Sequence, residues 1–296
     1  LFNMSNEEQP LYGIYNENNK LIQKEDIERF LLKGGITEKI NNIDLWRKAF
    51  VHKSYCKNRK KKQAQNIEQQ IAEERKTVDL TKVIDIQEDS NEVLEWLGDG
   101  IIQSTVACYL MRRYVGQDEG FLTKLRSKLV KTEALSNIAK FLGFGEFILM
   151  SEHVEKACNG RNNSRILEDA FEGFVGALAQ DFGIDETCRG YLICNKFIIN
   201  CIESAIDITE LIMKDDNYKD QLMRYFQRMF DGQLPKYHED KSKDTGEFTP
   251  GGRIFYMYVT DVNNKKIGSG YAKSKKEAEQ RAAKQALYNY GIRDRF

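Results

Sequence analysis

The sequence predicts a mainly α-helical protein of two domains, an all-helical one followed by a small α-β-β-β-α one. Three observations carry this reading. From Lys24 to Met213 apolar residues recur at helical spacing, as in Ile27, Phe30, Leu31 and again in Ala134, Ile138, Phe141, Leu142. Beyond Ile212 the periodicity changes twice within roughly eighty residues. The net charge of zero also divides unevenly: residues 217–296 hold 16 Lys+Arg against 10 Asp+Glu, a net +6, leaving 29 against 35, a net −6, upstream. A basic module following an acidic one suits a protein that grips a polyanion with one domain and concentrates divalent cations with the other.

Taken in order, residues 1–23 form an N-terminal extension and residues 24–213 the helical domain. Residues 57–90 read as a charged insertion within it, because NRKKKQAQNIEQQIAEERKTVDLTKVIDIQEDS offers little to bury. That stretch is expected to be partly helical at best and the least ordered part of the domain. Its run from Arg59 to Lys62 reads as a solvated loop, as added phosphate contacts or as a weak nuclear signal. The second domain covers residues 216–291. There YKDQLMRYFQRMF has helical spacing, RIFYMYVTDV and KKIGSGYAKS alternate like strands around the turn-forming Asn263-Asn264, and KKEAEQRAAKQALYNY returns to a helix.

Composition excludes several classes. With 41% apolar and 30% charged residues, and no apolar run of about eighteen, neither a membrane span nor a disordered chain is expected. The opening LFNMSNEEQPLYG has no basic n-region and no long apolar h-region, so an intracellular protein is expected, cytoplasmic or nuclear. Six cysteines without a C-x-x-C pair read as buried reduced thiols rather than a zinc site. Only three histidines are present, so the chemistry must come from carboxylates, and no small-molecule cofactor is expected.

In NEVLEWLGDG, Glu92, Glu95 and Asp99 stand at i, i+3 and i+7, on one helix face. In ILEDAFEGFVGAL, Asp169 and Glu172 are spaced i, i+3 within an otherwise apolar helix, so they point toward a core. Two such helices packed together would gather about four carboxylates in a partly buried site, costly unless a cation neutralises them. All-oxygen ligation of this kind selects Mg²⁺, with Mn²⁺ as a substitute. Solvated helix faces are the alternative reading of either segment alone.

The two strings together resemble the signature pair of the ribonuclease III family. AFVHKSY (Ala49 to Tyr55) resembles a third family segment, and Asp118, Glu119 and Gly120 match the spacing of a family turn. The resemblance runs in order from Ile27 to Asp181, interrupted by the insertion. It implies that Glu95, Asp99, Asp169 and Glu172 are the metal-binding and catalytic acids, with Glu92 and Glu119 as supporting acids. It also implies hydrolysis of double-stranded RNA to 5′-phosphate and 3′-hydroxyl ends. Trp96 stands where the family has an aromatic that plugs a socket on a partner subunit, and an ordinary core tryptophan is the alternative.

The segment from Asp216 to Gly291 resembles a double-stranded-RNA-binding domain, most specifically in GSGYAKSKKEAEQRAAKQAL. The resemblance makes Lys273, Ser274, Lys275 and Lys276 the phosphate-holding residues, at a helix start where exposed N–H groups assist. Such domains read A-form shape with weak sequence preference. Asp220, Met223 and Arg224 replace the usual minor-groove residues of the first helix, and Gly251 stands where a loop histidine is usual. Arg224 and Arg253 are expected to substitute through phosphate contacts.

One nuclease domain per chain implies a homodimer with two composite sites, giving staggered cuts and short 3′ overhangs in RNA processing or small interfering RNA production. A non-catalytic RNA-binding scaffold would show substituted ligands, and all four principal acids are intact. A DNA nuclease is disfavoured by the C-terminal module, whose A-form selectivity rests on the 2′-hydroxyl.

Overall fold

The computed structural model describes residues 12–57, 64–184, 188–213, 217–230, 232–241 and 253–292. Arg59 to Lys62 and Gly251 lie outside the described residues. The chain divides into two compact units, Leu1–Ile208 and Thr209–Phe296. The first holds α1 (Lys24–Lys33), α2 (Ile43–Ala49), α3 (Ala64–Glu74), α4 (Glu92–Arg113), α5 (Glu119–Leu129), α6 (Thr132–Leu142), α7 (Glu152–Ala157), α8 (Ser164–Asp181) and α9 (Arg189–Ala205). A short α10 (Ile208–Met213) spans the division. Then follow α11 (Tyr218–Met229), β1 (Lys236–Glu239), β2 (Phe255–Thr260), β3 (Lys266–Ala272) and α12 (Lys275–Asn289).

Helix α8 is the centre of the first unit: every residue from Phe171 to Ala179 is buried. A helix apolar on all sides can only sit inside a bundle. Its first turn is capped by Asn163, whose side chain accepts the Arg165 N–H at 3.0 Å. Helix α4 lies against it at backbone contact. A Cβ on Gly98 would fall 1.9 Å from the Glu172 carbonyl oxygen, and one on Gly176 would fall 2.1 Å from the Leu94 carbonyl oxygen. The two glycines therefore set how closely the acid-bearing stretches approach.

On the other side of α8 the rings of Phe30, Phe50 and Phe174 each pack against Phe144, with centroids 5.0, 5.0 and 5.0 Å away respectively. Trp46 packs on Phe174 at 4.8 Å, and its indole N–H donates to Asp181 at 3.0 Å. Asp181 also accepts the N–H groups of Asn41 and Asn42, so one carboxylate at the end of α8 secures the start of α2.

The insertion differs from its composition-based expectation. Helix α3 ends at Glu74, whose carboxylate accepts the N–H groups of Ile14 and Tyr15 at 2.8 and 3.3 Å. Ile86 is buried in a cluster with Ile14, Tyr15, Val51, Tyr55, Cys56 and Leu149, and Val78, Val83 and Ile84 pack against it. The Tyr55 hydroxyl donates to the Ile84 carbonyl at 2.5 Å. The polar composition concealed five aliphatic residues, Ile71, Val78, Val83, Ile84 and Ile86, that meet a common cluster. Replacing residues 59–90 with a Gly/Ser linker is therefore expected to destabilise the helical unit, and Ile86→Ala alone to cost about 2–3 kcal/mol in a denaturant titration.

The cysteines are also not uniformly buried. Cys56, Cys194 and Cys201 are, whereas Cys108, Cys158 and Cys188 are exposed, because helical periodicity does not say which face a small residue occupies. No helix among the described residues is long and apolar enough to cross a membrane.

In the second unit the strands form an antiparallel sheet in the order β1-β2-β3, with Tyr258 opposite both His238 and Ser269. Asn264 adopts φ 59° in the β2–β3 turn, and the Asp261 carboxylate accepts the N–H groups of Asn263 and Lys265 at 2.9 Å each. Leu222 and Phe226 of α11 pack with Val259, Ile267, Ala282, Ala283, Ala286 and Leu287. The alanine stripe lets α12 lie close to the sheet.

Candidate active site and nucleic-acid interface

Helix α4 presents Glu92, Glu95, Trp96 and Asp99, and α8 presents Glu168, Asp169 and Glu172. Carboxylate oxygens of Glu95, Asp169 and Glu172 all lie within 4.8 Å of one another. Glu172 is buried, at 8% exposure, and Glu95 and Asp169 are half-buried.

Such crowding disfavours negative charge. Burial, then the charges of Asp99, Glu168, Glu95 and Asp169, push the Glu172 carboxyl up to about 9. Burial and the neighbouring Asp169 and Glu92 push Glu95 up to about 7, and Asp169 is raised chiefly by burial. Lys53 opposes both of the latter shifts. Three acids held together at this cost, all offering hard oxygen donors, fit a small divalent cation.

The remaining expected acids are placed differently. Asp99 is exposed at the rim, where it is the largest charge acting on Glu172 and accepts a hydrogen bond from Gln103 at 3.2 Å. Glu92 is exposed and accepts from the Ser90 hydroxyl at 3.0 Å. Glu119 is exposed in the first turn of α5, where it accepts from Thr123 at 2.9 Å. Trp96 is 78% exposed and Val93 beside it 67%, so Trp96 is not a core residue of the single chain.

Sequence reasoning passed over Glu168. Its carboxyl is raised by burial and then by Asp169 and Asp99, while a hydrogen bond from Thr132 opposes the shift. Its i, i+4 spacing to Glu172 was the available signal. Lys53, inside AFVHKSY, was legible only as part of a string.

In the second unit Ser274 caps α12, its hydroxyl accepting the Glu277 N–H at 3.3 Å. Lys273, Lys275 and Lys276 are exposed around that helix start. Lys275 forms an ion pair with Glu239 at 2.8 Å, and Arg224 pairs with Asp220 one turn away on α11.

A family profile described as Ribonuclease-III-like matches residues 42–200, and one described as Double-stranded RNA binding motif matches residues 218–290. The chain belongs to the ribonuclease III family of endoribonucleases. It is 32% identical over 247 residues to the Ribonuclease 3 of Borreliella afzelii, covering 83% of this chain and 85% of that protein. A Probable ribonuclease 3 of Acanthamoeba polyphaga mimivirus is 30% identical over 280 residues, 94% of this chain; the chain spans about half of that relative, 47%. Among solved structures, the nuclease domain of ribonuclease III from Campylobacter jejuni is 27% identical, with 62% of this chain and 98% of that chain covered and a TM-score of 0.45. In this family member the helical unit and the α-β-β-β-α unit thus carry the two profiles in the order expected from sequence.

Proposed function

We propose that this ribonuclease III family member hydrolyses double-stranded RNA with Mg²⁺, Mn²⁺ substituting, through Glu95, Asp99, Asp169 and Glu172. The convergence of the Glu95, Asp169 and Glu172 oxygens within 4.8 Å, in a chain bearing a double-stranded RNA binding motif, carries the reading. A divalent cation, when bound, would neutralise the carboxylates and supply an activated water and charge stabilisation for the departing 3′ oxygen. Glu95, Asp169 and Glu172 would hold it, with Asp99 completing the ligand set from the rim. Glu92 and Glu119 support the site from α4 and α5. The second domain grips phosphates through Lys273, Lys275 and Lys276, with Ser274 organising the helix start and Arg224 a further contact.

The partner in this reading is a second copy of the chain. Trp96, exposed with Val93, supplies the contact, and two sites acting on opposite strands leave short 3′ overhangs. Trp96→Ala is expected to shift sedimentation from dimer to monomer at micromolar concentration while the circular dichroism spectrum is kept.

Labelled duplex RNA incubated with Mg²⁺ or with chelator tests the activity. Cleavage only with cation, to 5′-phosphate and 3′-hydroxyl ends, is expected; 2′,3′-cyclic phosphate ends or cation-independent cutting would overturn it. Product length separates small interfering RNA production from other RNA processing. Binding without any cleavage would favour the scaffold reading, and equal cutting of duplex DNA the DNA-nuclease reading.

For the RNA grip, each phosphate contact contributes about 0.9 to the slope of log K against log salt. Lys276→Ala is expected to lower the slope by about one, measured by filter binding. Lys275→Ala should lower it by less, because Glu239 must first be displaced.

A further inference from the structure

We propose that Asn91 is a positioning residue for the acidic centre, tying the backbone of Asp169 to the helix that carries Glu95. The inference rests on the reading of Glu95, Asp169 and Glu172 as the cation-holding acids.

Asn91 stands at the residue preceding α4, a place where an asparagine ordinarily turns its side chain onto the N–H groups of the first helical turn. It makes no such cap; its backbone is helical, at φ −76° and ψ −5°. The Ser90 hydroxyl accepts the Glu92 N–H instead, at 3.4 Å. The Asn91 side chain is directed inward, with the residue only 4% exposed. Both bonds from its amide nitrogen go to main-chain carbonyls of other segments: Ala49, at the end of α2, at 3.3 Å, and Asp169, on α8, at 3.3 Å.

The main chain of Asn91 continues the same connection. Its N–H donates to the Val51 carbonyl at 2.9 Å, and its carbonyl accepts the Glu95 N–H at 2.8 Å. One residue therefore bonds the chain after α2, the peptide of one metal-site acid and the peptide of another. Gly173 leaves the space this needs: a Cβ there would lie 3.0 Å from the Ala49 oxygen and 3.4 Å from the Asn91 Cβ.

A forgone local cap disfavours a helix start, so the inward amide is a locally unfavourable choice that the tertiary contacts offset. Carboxylates that share a small cation must be held to within about 0.5 Å, and loss of a group that orients ligands typically reduces metal affinity or activity about 10–100-fold. Without the amide, α8 near Asp169 and α4 near Glu95 remain packed through Gly98 and Gly176, but the carboxylate spacing is no longer pinned at its outer end.

The test compares the full-length wild type with Asn91→Ala and with Ile22→Val, a buried control expected to lower Tm away from the site. Three quantities are read: the Mg²⁺ concentration giving half of the cation-induced rise in Tm of the protein alone, kcat on duplex RNA, and Kd for duplex RNA without cation. Asn91→Ala is expected to raise the half-saturating Mg²⁺ concentration and lower kcat, each roughly 10–100-fold, with the RNA Kd within about twofold. Ile22→Val should leave all three near wild type. Asn91→Ser, which removes the amide but keeps a polar side chain in the space, carries the same readouts if the alanine variant does not fold.

A lowered Tm with unchanged Mg²⁺ dependence and kcat would overturn the proposal and leave Asn91 a purely structural tie. If the wild type itself shows no Mg²⁺-induced rise and Glu172→Gln cleaves normally, the reading of the acids fails instead, which is a separable result.

Discussion

On the proposed reading, Glu172→Gln is expected to lower cleavage roughly 10³-fold while leaving duplex affinity within about twofold, because a neutral amide would be a poor ligand for a hard cation and the RNA would be held mainly by the other domain. Single-turnover cleavage and filter binding measure the two effects. The variant should also be more stable than wild type in chelator. The Glu172 carboxyl titrates near 4.5 when solvated and at about 9 in the fold. Between those values the unfolded chain releases the proton while the folded chain keeps it, so wild-type stability is greatest below the lower value and declines as pH rises toward the upper one. At pH 7 the difference is of the order of 3 kcal/mol in favour of glutamine. Thermal unfolding in chelator from pH 5 to 9 checks this: a falling Tm in wild type and a flatter profile in the variant are expected. Because a cation must displace that proton, half-saturating Mg²⁺ should fall as pH rises through the same window. Full activity in Glu172→Gln would refute the metal-binding role.

Gly98→Ala is expected to have the largest effect on folding. The added methyl would lie 1.9 Å from the Glu172 carbonyl oxygen, a backbone atom that no rotamer change can move aside. Separating α4 from α8 disturbs the centre of the core and pulls Glu95 away from Asp169 and Glu172 together. Overpacking commonly costs about 1–3 kcal/mol, and a clash with main chain belongs at or above the upper end. A fall in the urea midpoint, with weakened Mg²⁺-dependent stabilisation in any folded fraction, is the expected outcome. Gly100→Ala is the internal control, since a Cβ there meets nothing within 4 Å, and helix propensity favours alanine by about 1 kcal/mol.

Much of the helical unit was legible because its signals are local. Ile27, Phe30 and Leu31 are buried along α1, and Ala134, Ile138 and Leu142 along α6, as their helical spacing indicated. The Asn263-Asn264 turn and the strands flanking it were equally local. The insertion is partly helical as its composition suggested, but its buried contacts were missed for the complementary reason. Burial of Ile86 and the hydrogen bonds accepted by Glu74 depend on partners at Ile14, Tyr15 and Leu149, about sixty or more residues away in sequence, which no window average registers.

By itself the sequence determined the family, the two-domain order and the identity of the acids available for chemistry. The family and the domain order follow from the resemblance of the signature strings, and the acids from residue type and spacing within each of two helices. Only the tertiary structure decided which acids meet. Glu95, Asp169 and Glu172 share a cluster because glycine at 98 and 176 lets two helices touch, whereas Asp99, on the same face of α4, stays at the rim. It likewise drew Glu168 toward the cluster, turned Asn91 inward and committed Lys275 to Glu239. Spacing within a helix is set by covalent geometry, but the distance between helices depends on the side chains of both, and it is that distance which determines charge repulsion and cation affinity.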